Sequence, residues 1–200
     1  TLPCGSEQDQ APSAPGCWYD RQGRYRFPNA NWLSQVIMAG VWRLGGMTGL
    51  SVLLAAISGG IFALVAASLR RLGAGWAAVA AGLLLTALAS YERILLRPEM
   101  FAYLILAAEL FVLIGGPMTR LRIAALVVLQ LLLVNLHSYF LLGLGLTGAF
   151  AADDFLRRLW ARLKQNEAGK SLFSILWLVL GLQLAVCFVN PWTWRLAVMP

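Results

Sequence analysis

Charged side chains are scarce in this 200-residue chain: Asp, Glu, Lys and Arg make up 12% of it, against ~25% in a typical soluble domain. Cysteine is scarce as well. Cys4, Cys17 and Cys187 have neither metal-ligand spacing nor the density of a disulfide framework, although Cys4 and Cys17 can pair if they face an oxidising compartment. With a single histidine, His137, the chain offers no His-clustered metal site. No metal and no cofactor are expected. No cleavable signal peptide is visible, because the chain opens on a polar stretch without an initiator Met. Thr1 begins mid-loop and Pro200 follows no closing element, so a piece of a longer protein is expected.

What the chain has in excess is apolar surface. Sixty per cent of its residues are hydrophobic and the mean hydropathy is +0.71, which makes a lipid bilayer its expected main partner. The formal charge of +7 does not point to nucleic acid. The basic residues sit in short clusters at the ends of apolar runs, where they act as topology signals at a lipid surface.

Residues 1–28 carry Pro3, Pro12, Pro15 and Pro28 among several glycines and read as an extramembrane loop. From Asn29, good N-cap residues precede Trp32, Val36, Ile37 and Val41 at helical spacing. Ser34, Gln35 and Arg43 interrupt that face and Gly45-Gly46 ends it, so residues 29–45 read as an amphipathic helix lying in the membrane interface. Residues 46–200 then form a transmembrane bundle. Its expected spans are about 46–69, 73–90, 98–116, 121–136, 139–152 and 171–189, against the ~20 apolar residues that a crossing helix needs. The fold class is therefore all-α: a polytopic bundle with about six crossings and an outer interfacial helix.

The fourth and fifth spans are short, and a single long helix would place Arg120 and Arg122 opposite Arg157, Arg158, Arg162 and Lys164. A hairpin turning at Asn135-Leu136-His137-Ser138 keeps both basic clusters on one side, here the cytoplasmic one. Nine Lys or Arg residues near membrane ends then lie inside and four outside. The protein is expected to be multi-pass in a bacterial inner membrane.

With this topology, four stretches distant in sequence reach the outer face: Asn29-Ala30-Asn31-Trp32, Glu92-Arg93 with Arg97-Pro98-Glu99, Asn135-Leu136-His137, and Asn190-Pro191-Trp192. Arg93 and Arg97, four apart, share a face if the helix begins early, and two guanidinium groups suit a phosphate or pyrophosphate. They also suit lipid headgroups, or Glu92 and Glu99 as ion-pair partners. His137 fits acid–base work or substrate hydrogen bonding, and equally a structural turn. Asp20, in the first loop, is either a general base or a solvated carboxylate. Glu109, inside the third apolar run, is a functional candidate by default, unless it is neutral or bonded to Gln130 or Gln183.

Asn-Trp-Leu-Ser-Gln-Val followed by Arg-Leu-Gly-Gly, then Leu-Arg-Pro-Glu-Met-Phe, Leu-Val-Asn-Leu-His-Ser and Val-Asn-Pro-Trp-Thr-Trp occur in series from Asn29 to Pro200. In order and spacing they resemble bacterial multispanning GT-C-type glycosyltransferase-like proteins, relatives of protein mannosyltransferases and aminoarabinose transferases. The resemblance implies transfer of a sugar from a polyprenyl-phosphate carrier to an acceptor on the outer membrane face. It implies Asp20 as the catalytic base nearest the surface helix, with Asn31, Trp32, Arg93, Arg97, Glu99, Asn135, His137 and Asn190 binding substrate. The chain departs from the pattern at Asn31, where many such proteins have Glu, at Glu99, where they have His or Gln, and at Ser138, where they have Gly. The alternatives are a non-catalytic polytopic membrane protein, or a transporter or flippase of a lipid-linked or small polar substrate.

Overall fold

A computed structural model of the chain describes residues 30–91, 94–165 and 174–191. The loop at 1–28 with Asp20, Cys4 and Cys17, the pair Glu92 and Arg93, and the aromatic residues Trp192 and Trp194 lie outside the described residues. The described residues are helical without strands: α1 (Trp32–Arg71), α2 (Trp76–Ser90), α3 (Pro98–Leu113), α4 (Arg120–Leu136), α5 (Phe140–Gln165) and α6 (Ile175–Val186).

Local chemistry sets most of the boundaries. Gly46 interrupts α1 with φ 56° and ψ −143°, a conformation open to glycine and costly for other residues. The bend there is sharp. A Cβ on Gly49 would lie 3.0 Å from the Val41 carbonyl oxygen, whereas eight residues of straight helix span ~12 Å. Residues 32–45 and 47–71 are therefore two helical segments folded on each other. Gly73 and Gly116, with φ of 85° and 100°, follow the ends of α1 and α3, where a left-handed residue closes a helix. Pro98 opens α3 behind an extended Arg97, and the Thr119 hydroxyl caps α4 by accepting from the Arg122 amide.

Arginines close the far ends of the first and third helices. The Arg71 guanidinium donates to the Phe111 carbonyl at 2.8 Å and lies over the Phe111 ring. Arg122 donates to the carbonyls of Gly115 and Pro117. Cations at these carbonyl-rich termini complement the helix dipoles.

Helix α3 is central, packing on α1, α4 and α5; α4 also packs on α6, and α2 touches only α1 among the described helices. Leu113, Leu126 and Val179 form a buried layer with Leu146 and Phe150 against it. Of the described helices, α1 alone is long and apolar enough to cross a membrane. Only 6% of its most apolar stretch is buried, unlike the core helix of a water-soluble domain. Helices α2, α3 and α4 have 15, 16 and 17 residues, each shorter than the ~20 needed to span a bilayer core unaided.

One expected boundary is corrected. The Arg157–Lys170 stretch between the fifth and sixth expected spans, expected as a cytoplasmic loop, is helix as far as Gln165, where α5 ends. Asp153 pairs with Arg157 at 2.8 Å and Asp154 with Arg158 at 3.0 Å, the i,i+4 spacing that supports an exposed helix face.

Candidate functional site

The polar residues gather at the end of the bundle where α1 and α3 begin and α4 and α6 finish. Trp32 opens α1, and its indole Nε1–H donates to Asn135 Oδ1 at 3.1 Å. Asn135, in the last turn of α4, donates through Nδ2 to the Leu131 carbonyl at 2.9 Å and to the Val189 carbonyl at 3.0 Å. A single carboxamide thus ties together the start of α1, the end of α4 and the segment after α6. Asn190 follows directly, donating to the Cys187 carbonyl at 2.7 Å. A depression of about 500 Å³ lies here, lined by Trp32, Leu33, Asn135, Phe188, Asn190 and Pro191.

His137 ends α4 with an extended backbone (φ −160°, ψ 155°), and the chain turns at residues 137–139 into α5. The Tyr139 amide donates to His137 Nδ1 at 3.1 Å, and the Ser138 hydroxyl lies 3.5 Å from the same atom. An accepting Nδ1 leaves the proton of the neutral ring on Nε2. The Tyr139 ring meets the imidazole edge-on, with centroids 4.1 Å apart, and Tyr103 lies 6.2 Å from Tyr139. Glu99 completes this row by accepting from the Tyr103 hydroxyl at 3.3 Å. Burial pushes the imidazole below its ordinary value of 6.5, and the Glu99 carboxylate acts in the opposite direction.

No protein-family model, no curated protein and no solved structure matches this chain.

Among the expected site residues, Trp32, Asn135 and Asn190 meet around the depression, while Glu99 and His137 belong to the neighbouring aromatic row. Asn31 sits at the N-cap of α1, and its carbonyl accepts from the Ser34 hydroxyl at 2.8 Å. Arg97 is exposed at the N-cap of α3. Asp20 and Arg93 lie outside the described residues. Two residues absent from the expected set, Tyr103 and Tyr139, supply the rings that link Glu99 to His137. The available signal was the i,i+4 spacing of Glu99 and Tyr103; the approach of Tyr139 depends on how α3 packs on α5. A second, mostly apolar cavity of about 320 Å³ opens beside Tyr103, between Ile61 and Phe62 of α1, Thr86 and Ala89 of α2, and Met100 of α3.

Proposed function

We propose that this chain is a polytopic membrane protein of the GT-C glycosyltransferase type, taking a sugar from a polyprenyl-phosphate donor and passing it to an acceptor at the outer face of a bacterial inner membrane. The observation that carries this reading is the junction at Asn135, where three sequence-distant stretches of the motif series are hydrogen-bonded together at one end of the bundle. A pocket assembled from such stretches can hold a headgroup while its lipid tail stays among helices.

The distribution of side chains supports membrane insertion beyond α1. Glu109, Gln130, Asn135, His137, Thr147 and Gln183 are buried, while Leu84, Leu88, Val128, Leu141, Leu178 and Leu182 face outward. That pattern suits a hydrocarbon solvent, in which polar groups must find partners inside the protein. Residues 47–71, at ~1.5 Å per residue, exceed a ~30 Å bilayer core, and residues 32–45, bent back at Gly46, serve as an interfacial segment.

In this reading Arg97, with Arg93, neutralises the phosphate as the glycosidic bond breaks. Asn135 and His137 orient the headgroup, Trp32 and Asn190 wall the depression, and Asn31, beside Trp32, and Glu99, in the neighbouring aromatic row, add polar contacts to substrate. Asp20 takes the proton of the acceptor hydroxyl. The apolar cavity beside Tyr103 suits the first isoprene units of the carrier.

The test is binding of a short-chain polyprenyl phosphate to the purified protein in lipid nanodiscs. Replacing Arg93 and Arg97 together by Gln should abolish binding without loss of membrane insertion, and unchanged binding would remove the proposed phosphate clamp. Orientation is tested separately, in a background lacking the native cysteines. Ser138→Cys should react with an impermeant maleimide from outside; reaction only from the cytoplasm would reverse the topology. A transporter or flippase is the second reading, favoured by the buried polar residues deep in α3, α4 and α6, and it would be supported by substrate flux across proteoliposomes without sugar transfer.

A further inference from the structure

Helices α3 to α6 meet in two stacked layers. In the first, Leu113, Leu126 and Val179 are buried, with Leu146 and Phe150 against them. One helical turn along α3, α4 and α6, four residues by register, stand Glu109, Gln130 and Gln183, with Gly143 about one turn before Leu146 on α5 and Thr147 a turn further along. An apolar layer therefore gives way to a polar one. Glu109, Gln130, Thr147 and Gln183 each have 0% exposure.

The carboxamide donors of this layer are used, and among the described residues its carboxylate and carboxamide acceptors are not. Gln130 Nε2 donates to the Phe140 carbonyl at 2.9 Å and to Cys187 Sγ at 3.2 Å; Gln183 Nε2 donates to the Leu126 carbonyl at 3.3 Å. Because a carbonyl only accepts, these bonds fix which way each carboxamide points. Among the described residues, both Glu109 oxygens, Gln130 Oε1, Gln183 Oε1 and Thr147 Oγ1 find no hydrogen-bond partner. Gly143 shows how closely two of them approach. A Cβ there would lie 2.8 Å from Glu109 Oε2 and nearer still to Gln130 Oε1, so two acceptor oxygens from different helices converge on one point. Oxygen lone pairs facing each other away from water repel unless something positive lies between them.

We propose that Glu109 and Gln130, whose oxygens converge beside Gly143, form a binding site for one monovalent cation, a proton or a sodium ion drawn to the same oxygens. A proton would make Glu109 a carboxylic acid that donates to Gln130 Oε1. A sodium ion would take oxygen ligands from the carboxylate and the carboxamide, the kind of donor that hard cations prefer. Among the described residues, the elements packed on α3 bring no competing charge to this layer. Helix α4 contributes Gln130, α5 contributes Gly143 and Thr147, and α6, behind α4, contributes Gln183 and the Cys187 thiol. The cations of α1 are Arg43, near its start, and Arg70 and Arg71 at its end, which are engaged with Ala74, Trp76 and Phe111. The site does not depend on the sugar-transfer reading, since none of its residues lines the depression at Asn135.

The test uses the whole protein in nanodiscs and dicyclohexylcarbodiimide, a hydrophobic reagent that attacks carboxylic acids, with mass spectrometry of the Glu109 peptide. Labelling of Glu109 should be slowed at least about tenfold by raised pH or by sodium at constant pH. Protection by sodium but not potassium would identify sodium as the occupant; dependence on pH alone would identify the proton. Labelling that neither condition changes, or no labelling at any pH, would overturn the proposal. A second measurement guards against an effect of folding. Glu109→Gln, a near-isosteric neutral change, should leave the helical circular dichroism intact and abolish the shift in thermal midpoint that sodium, or a pH change above 6.5 where His137 stays neutral in both states, produces in the unaltered protein. Retention of that shift in E109Q would also overturn the site.

Discussion

The indole of Trp32 donates to the side-chain oxygen of Asn135 at 3.1 Å, joining residues 103 positions apart. Asn135 is 8% exposed, and its carboxamide also donates to the Leu131 and Val189 carbonyls. Asn135→Ala removes all three bonds and leaves buried groups unpaired, so it should destabilise the protein by about 1–3 kcal/mol. Trp32→Phe removes one donor and should cost about 1 kcal/mol. Because the two side chains share that bond, the double variant should lose less than the sum of the single ones. Chemical denaturation in detergent measures all three. Strict additivity would mean that the bond contributes nothing.

The position of Trp32 depends in turn on Gly46. Its φ of 56° lies where a Cβ is strained, typically by about 1–3 kcal/mol, and Val41 folds back to within 3.0 Å of the place a Cβ on Gly49 would occupy. Gly46→Ala should favour a straight helix through residues 32–71, drawing Trp32 away from Asn135. Cross-linking of the Trp32→Cys, Asn135→Cys variant, made without the native cysteines, by a bifunctional thiol reagent about as long as the indole reports the approach. Its yield should fall several-fold when Gly46→Ala is added, and an unchanged yield would show that the bend is held by contacts other than this glycine.

The His137 shift predicts a direction of pH dependence. Burial lowers the folded-state value below 6.5, so in mild acid the unfolded chain takes up a proton that the folded chain still refuses. Above 6.5 both states are neutral and the histidine contributes its full share of stability. As pH falls from 6.5 towards the folded-state value that share is lost. Thermal midpoints should therefore drop on acidification through this window, and His137→Gln should flatten that part of the curve. Glu99 opposes the shift, so Glu99→Gln should move the imidazole titration, followed by NMR, further downward. An unchanged titration would show that Glu99 does not act on the ring.

Much of this architecture is legible in local chemistry. The glycine pair at 45–46, Pro98 and Thr119 mark boundaries because a positive φ, a missing N–H and a capping hydroxyl act within a few residues. The extension of α5 to Gln165 was hidden by its charge. Arg157, Arg158, Arg162 and Lys164 read as a loop, although Asp153 and Asp154 stand four residues before the first two. The site was legible at Trp32, Asn135, His137 and Asn190, which belong to short motifs. Tyr103 and Tyr139 were not, since ring contacts between helices depend on rotation about each helix axis, which no local signal fixes. Glu109 could be read as an ionisable residue in an apolar run, but the convergence of its carboxylate with Gln130 required knowing that Gly143 lies between them.

That glycine provides the sharpest contrast available in one helix. Gly143 and Gly145 are two residues apart in α5, yet a Cβ at Gly145 would meet nothing within 4 Å, whereas one at Gly143 would meet Gln130 Oε1, Glu109 Oε2 and Leu133 Cδ2. The helical backbone favours alanine over glycine at either position by about 0.5–1 kcal/mol. Gly145→Ala should therefore be neutral or stabilising. Gly143→Ala meets the same preference but must push apart buried groups on α3 and α4, and overpacking of this kind costs about 1–3 kcal/mol. The difference between the two variants, read from denaturation midpoints in the same detergent, isolates the packing because backbone propensity cancels. Equal stabilities would mean that α5 shifts freely against α3 and α4, and the close approach of Glu109 to Gln130 would not be a fixed feature of the fold.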